Sequence, residues 1–322
     1  MERVLDPSVL PSRRETGLSL GAAFAVMLAV FVVGPFVLYP VFLMKALCFA
    51  LFACAFNLLI GYVGLASFGH AMFFGWASYV AAYAAKSWGW PPELAIIAAT
   101  AAAAVLGLVA GGLAIRRQGI YFAMITLALS QMMYFYALQA KFTGGEDGIQ
   151  GVPRGHLFGL FDLSREMTMY VFVLVVVLAG FLLIYRIINS PFGEVLKAIR
   201  ENEQRAISLG YNTERYKLVA FVLSATLAGL AGSLNALVFQ LASLTDVHWT
   251  MSGDVLLMTL LGGLGTVFGP VVGAFVVIGM QNYLAPFGQW VLVIQGTIFV
   301  VCVLVFRRGI VGELAHALRV RL

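Results

Sequence analysis

Long apolar runs separated by short polar breaks recur from residue 17 to residue 306 of this chain. A helix that crosses a bilayer needs about 20 mostly apolar residues. Read with that ruler, the pattern predicts ten spans, at 17–39, 42–60, 66–85, 93–115, 119–139, 168–188, 216–239, 253–265, 269–285 and 289–306. The third and eighth are the least regular, and the eighth is short enough to be re-entrant. The expected fold class is therefore an all-α polytopic membrane protein of about ten transmembrane spans, with broken or re-entrant helices among them. The first run is too long for a signal-peptide core and lacks a small-residue cleavage pattern, so it reads as an uncleaved span.

Two polar stretches interrupt the series. Residues 140–167 hold Gly144, Gly145, Gly148, Gly151 and Pro153 and read as a turn-rich loop. Residues 189–217 read differently. Pro191 stands where a helix can start. Leu196, Ile199, Ala206, Ile207 and Leu209 give a helical apolar stripe. Glu201 and Arg205 are spaced as a favourable i,i+4 pair, Gly210 ends the helix and Asn212 opens a turn. The expectation is a short structured helix on one face of the membrane.

Charge orients the layout. With the N-terminus inside, five basic residues lie outside (Lys45, Lys86, Lys141, Arg154 and Arg165) and fifteen inside, which accounts for all 20 Lys and Arg. This bias follows the positive-inside rule. It predicts cytoplasmic tails at 1–16 and 307–322, a transmembrane domain at 17–306, an outer loop at 140–167 and a cytoplasmic loop at 189–217. The same sorting removes a nucleic-acid reading of the net charge of +5. Composition agrees: 61% of the 322 residues are hydrophobic and 11% charged, against about 25% charged in a soluble domain. Cys48, Cys54 and Cys302 lie in apolar runs without ligand or disulfide spacing and read as packing residues.

Chemistry-bearing motifs are scarce. The chain has no phosphate-binding G-x-x-x-x-G-K-[ST] loop, and in "GGLGTVFG" Phe268 replaces the third glycine of a dinucleotide fingerprint. No metal or cofactor is expected on this chain, nor any covalent catalysis. The glycine-rich interruptions are more informative: Gly61, Gly64, Gly69 and Gly75 in one run, and Gly262, Gly263, Gly265, Gly269 and Gly273 in another. Such runs serve close helix packing or form broken helices beside a pathway. Asn57, Gly64, Ser67, Gly69 and His70 cluster at the first and are candidate pathway residues, with Gln131. His70 has a packing role as its alternative. Asp254 reads as charge at a helix start. Gln240, Gln281 and Gln295 line a polar path or join helices.

Several stretches then resemble one family. "ENEQRAISLG" (Glu201 to Gly210) is similar to the cytoplasmic loop by which permeases of ATP-binding-cassette importers dock their ATPases. "GYVGLASFGHAMFFGWASY", "RRQGIYFAMITLALSQ", "TGGEDGIQG" and "LLGGLGTVFGPVVGA" resemble, in order and spacing, the M-type permease of leucine/isoleucine/valine importers. The likeness runs from about residue 40 to 310. Arg205 departs from it, standing where a small residue is expected. The resemblance implies an inner-membrane permease with a second related permease, two cytoplasmic ATPases that carry ATP and Mg, and a periplasmic binding protein, all within membrane lipid. It assigns ATPase coupling to Glu201, Glu203, Arg205, Ala206, Ile207, Leu209 and Gly210. The solute implied is a branched-chain or other apolar amino acid, with urea or short amides as the alternative. An ion-coupled transporter is the third reading, and it lacks buried carboxylates apart from Asp254.

Overall fold

The computed structural model describes residues 15–288, 290–305 and 309–317. Among them, each of the ten predicted spans corresponds to a helix: α1 (Glu15–Val37), α2 (Pro40–Ile60), α3 (His70–Ser87), α4 (Pro92–Ala114), α5 (Ile120–Gln139), α6 (Glu166–Ile188), α9 (Thr213–Phe239), α10 (Trp249–Gly262), α11 (Gly269–Leu284) and α12 (Trp290–Val305). Between α6 and α9 stand α7 (Pro191–Glu201) and α8 (Glu203–Ser208), and α13 (Gly309–Ala317) follows α12. The tail boundaries at 1–14 and 318–322 lie outside the described residues. Five helices, α2, α4, α5, α6 and α9, are long and apolar enough to cross a membrane.

Local chemistry sets the ends. Pro40 and Pro92 occupy first-turn positions, where a missing N–H costs nothing. Ser190 caps α7 by accepting from Gly193 N at 3.4 Å, and Asn212 caps α9 by accepting from Arg215 N at 3.2 Å.

α2 is the central post. It packs against α6, α9, α10 and α11, and α9 in turn packs against α3 and α4. These crossings depend on small residues. A Cβ at Gly229 would lie 2.2 Å from Ala103 Cβ, and one at Gly107 would lie 2.6 Å from Ala225 Cβ. Such contacts let backbones close in, which is how helices associate where lipid removes the hydrophobic drive between them. The outward faces are bare hydrocarbon: Ile97, Val105 and Leu108 on α4, Val171, Val175 and Leu182 on α6. In water that surface would aggregate; in a bilayer it is solvated.

Among the described span helices α10 is the shortest, and α11, α12 and α3 also stop short of a full crossing. The 14 residues of α10 reach about 21 Å at about 1.5 Å per residue, against a hydrocarbon core of about 30 Å. α3 begins at His70, because Gly61–Gly69 is turn and loop. The link from α9 to α10 supplies the missing depth. It leaves α9 beside the 140–165 loop, where β4 (Leu241–Ala242) pairs antiparallel with β1 (Ile149–Gln150). It then dips until Val247 and Asp246 meet Gly75, in the second turn of α3. Ala71 N donates to Ser252 Oγ at 2.9 Å, anchoring the start of α10 at that depth. Irregular backbone at membrane depth survives only when protein or a wet cavity covers it. Here α3 covers it. Within the 140–165 loop a second short pair, β2 (His156–Leu157) with β3 (Phe161–Asp162), completes the strands among the described residues.

The two faces give a direct check. With Cys302 replaced so that the remaining cysteines are the buried pair Cys48 and Cys54, Asp147→Cys is expected to react with an impermeant maleimide added to intact cells. Ser208→Cys is expected to react only after permeabilisation. Both side chains are exposed. The reverse pattern would invert the layout.

Candidate functional site

The predicted docking helix is two helices. α7 buries Leu196 and Ile199 and ends where Asn202 turns extended. The Asn202 side chain then accepts from Arg205 N at 3.0 Å and caps α8. This break corrects the expectation of one continuous helix. Its consequence is that Glu201 and Arg205 form no ion pair among the described residues. An Asn competes with the helix by capping the next turn, and that local bond wins over an exposed i,i+4 pair worth only a few tenths of a kcal/mol.

The seven predicted coupling residues divide by direction. Ala206 is buried. Glu203 turns inward: its carboxylate accepts from Lys217 Nζ, from Thr213 Oγ1 at 3.2 Å and from Gln118 Nε2 at 2.9 Å. It thereby ties α8 to the start of α9 and to the α4–α5 turn. Glu201, Arg205, Ile207, Leu209 and Gly210 are exposed, Leu209 at 71%. Gly210 takes φ +89°, a left-handed turn that a side chain resists. Lys217 is only 3% exposed. Removing one partner of a buried pair typically costs about 3–5 kcal/mol. Glu203→Ala should therefore lower the thermal midpoint of the purified chain, and adding Lys217→Met should restore most of it. No drop in the single variant would show that the pair holds nothing.

The two glycine-rich interruptions meet beneath α7. Asn57 joins them: its Nδ2 donates to Thr266 O at 2.9 Å, and its Oδ1 accepts from Gly265 N at 3.0 Å. Arg200 of α7 donates through Nη1 to Gly61 O, and its side chain lies against Gly64 and Gly265. Ser67 and Gly69 continue the same joint, with Gly69 N donating to Ser67 Oγ at 3.3 Å and Phe68 N to Thr126 Oγ1 at 3.2 Å. His70 is fully buried. Its Nε2 is 2.9 Å from Ser224 Oγ, and its ring meets the edges of Phe56, Phe73 and Phe221. That surround favours the packing alternative, because a solute reaches the ring only if the helices part. Gln131 is half-buried on α5, beyond Thr126, and stands apart from this cluster. The joint thus gathers five of the six pathway candidates and connects them to the α7–α8 face.

Asp254 lies elsewhere. His248 caps α10, so Asp254 stands in the helix interior instead of at its start. Its Oδ2 accepts from Gln281 Nε2 at 3.3 Å. It lines a cavity with Lys45 and Asp246, two residues the apolar pattern did not single out. Lys45 carried the clue: it falls inside the second predicted span, and an ionisable group there is a functional candidate by default.

The profile of the branched-chain amino acid transport system permease component matches residues 38–304. The chain belongs to this family. It is 28% identical to the high-affinity branched-chain amino acid transport system permease protein LivM of Escherichia coli, over 76% of this chain and 63% of that protein. A probable LivM of Methanocaldococcus jannaschii is 30% identical over 55% of this chain and 53% of its own. The ribose import permease RbsC of Bacillus subtilis is 27% identical over 56% and 58% respectively. The match to the Escherichia coli protein thus spans less than two thirds of that relative. No solved structure matches significantly. Within this permease family the chain is a multi-pass helical membrane component, and its α7–α8 segment and broken-helix joint lie inside the matched region.

Proposed function

We propose that this chain forms half of the translocation pathway of an ATP-driven importer for branched-chain or other apolar amino acids. A second related permease completes the pathway. Two cytoplasmic ATPases bind the α7–α8 face and hydrolyse ATP, and a periplasmic binding protein delivers solute from the 140–167 side. The chain sits in the inner membrane with both termini cytoplasmic.

One observation carries the reading. The polar α7–α8 segment holds Ile207 and Leu209 exposed at 48% and 71%, while Arg200 in the same segment holds Gly61 beside Gly64 and Gly265. An exposed apolar pair outside the hydrocarbon marks a partner surface. A force applied there reaches both broken-helix segments through a side chain already in contact with them. The ribose-importing relative supports the architecture and leaves the solute to other evidence.

The test is affinity purification of the tagged chain from its native host, with identification of co-purifying ATPases and permease, followed by uptake assays. The reading expects the ATPases to co-purify and uptake to require them. Uptake that runs on a proton or sodium gradient without ATPases would instead support an ion-coupled transporter.

A further inference from the structure

The cavity lined by Lys45, Asp246 and Asp254 has a volume of about 270 Å³, a little under the roughly 300–1,000 Å³ of sites for drug-sized ligands. Phe49, the tenth residue of the 21 in α2, lines it, so it reaches near mid-depth. The dipping link and the short α10 form one wall. Discontinuous helices near the midplane are where transporters place solute sites.

Its charges are unusual. Among the described residues neither Lys45 nor Asp246 nor Asp254 stands in an ion pair. All three are only part-buried, and they face one space from α2, the link and α10. Asn235 joins them from α9. It is 5% exposed, and its Oδ1 has no hydrogen-bond partner. A buried acceptor left unmatched is costly, so it marks a place where a donor is missing. Gln281 donates to Asp254 and steadies that carboxylate. The remaining lining mixes the hydroxyls of Ser243 and Thr245 with the apolar Leu241, Phe49, Met251 and Phe239, whose ring centroid lies 6.0 Å from Lys45 Nζ.

We infer that this cavity is a transit site for a zwitterionic α-amino acid with an apolar side chain. Asp246, Asp254 and Asn235 Oδ1 offer acceptors for the three N–H groups of its ammonium. Lys45 meets its carboxylate. Phe49, Phe239 and Met251 cover its side chain. The three protein charges sum to −1, so an isolated carboxylate is repelled. A bare amine finds its acceptors but leaves Lys45 without a counter-ion. A neutral solute such as urea or a sugar hydrogen-bonds to these groups but brings no charge to balance them, so it gains less from the site. This inference rests on the importer reading and assigns the solute's chemistry to residues outside the glycine joint.

The test uses the complete assembly in proteoliposomes, with labelled leucine, urea and ribose, and rates normalised to complex recovered. Leucine should be taken up, with leucinamide (no carboxylate) and 4-methylpentanoate (no ammonium) competing poorly. Lys45→Met and Asp254→Asn should each cut leucine uptake about tenfold or more, the scale of a lost charge-assisted bond. Lys45→Arg keeps the charge and should retain uptake within about threefold, which separates a lost contact from a misfolded chain. Leucine uptake that survives Lys45→Met and Asp254→Asn would overturn the site and leave the importer reading standing. Loss in Lys45→Arg equal to that in Lys45→Met would also overturn it, because the charge would then be irrelevant. ATP-driven uptake of urea or ribose without leucine would overturn the site and the solute class together. No ATP-stimulated uptake of any solute would overturn the importer reading itself.

Discussion

Gly232→Leu should abolish recovery of the folded permease. Gly232 lies on α9 where it crosses α3, and a Cβ built there would stand 1.9 Å from the carbonyl oxygen of Phe74. The obstacle is backbone, so no rotamer change relieves it. The two helices must part, and the bond from Ser78 Oγ to Gly232 O, 2.9 Å, stretches with them. The displacement does not stop there. Phe74 stacks on Phe52 of α2 with ring centroids 4.7 Å apart, so the central post is pushed as well. Overpacking a close-packed core by extra methylenes typically costs about 1–3 kcal/mol, more where backbone must move. A native stability on the order of 5–15 kcal/mol leaves little room for that. Gly112→Leu is the matching control, because its Cβ would meet nothing within 4 Å on the exposed face of α4. Detergent-solubilised Gly112→Leu should run as a single peak at wild-type yield, whereas Gly232→Leu should aggregate. Equal yields and melting midpoints would mean that the α3–α9 crossing is looser than these distances imply.

Leu209→Asp should leave the permease folded and stop transport. Leu209 is exposed in the isolated chain, so the change costs it little, within about 0.5 kcal/mol for an ordinary surface site. In the proposed assembly the same position contacts an ATPase. A charge buried there without a partner costs several kcal/mol, on the order given for desolvated polar groups, which is at least a hundredfold in affinity at about 1.4 kcal/mol per decade. ATPases should be lost on purification and uptake should fall more than tenfold, while the permease keeps its wild-type melting midpoint. ATPase retention together with normal uptake would remove α8 from the coupling path.

What was legible beforehand follows a physical divide. Hydropathy placed the spans well where a helix is apolar along its whole length: 42–60 against Pro40–Ile60, and 119–139 against Ile120–Gln139. It erred where backbone geometry and apolar character part company. Residues 66–69 look like span yet form no helix, because the turn before His70 is made by glycines rather than by polar residues. Residues 240–248 pose a different problem: Gln240, Ser243, Thr245, Asp246 and His248 mark a break between spans, but a polar link that turns back inside the protein looks the same in sequence as one that stays at the surface. The apolar stripe across 196–209 masks the break at Asn202, whose capping bond to Arg205 N appears only in the structure. The charge sorting places Lys45 on the outer side, although it stands within the second apolar run; only the convergence of α2, the link and α10 shows that it faces two carboxylates. The meeting of the two glycine segments through Asn57 likewise depends on contacts more than 200 residues apart, which no local pattern records.

The most direct test of the central claim is ATP-driven solute flux. Proteoliposomes should carry this chain with the permease and ATPases that co-purify with it, with ATP on the α7–α8 side and the loaded binding protein on the other. The account predicts inward accumulation of labelled leucine that requires ATP hydrolysis, stops with Leu209→Asp, and persists when proton and sodium gradients are collapsed. Accumulation that needs no ATPase, or that disappears with the ion gradients while ATP is still hydrolysed, would contradict it.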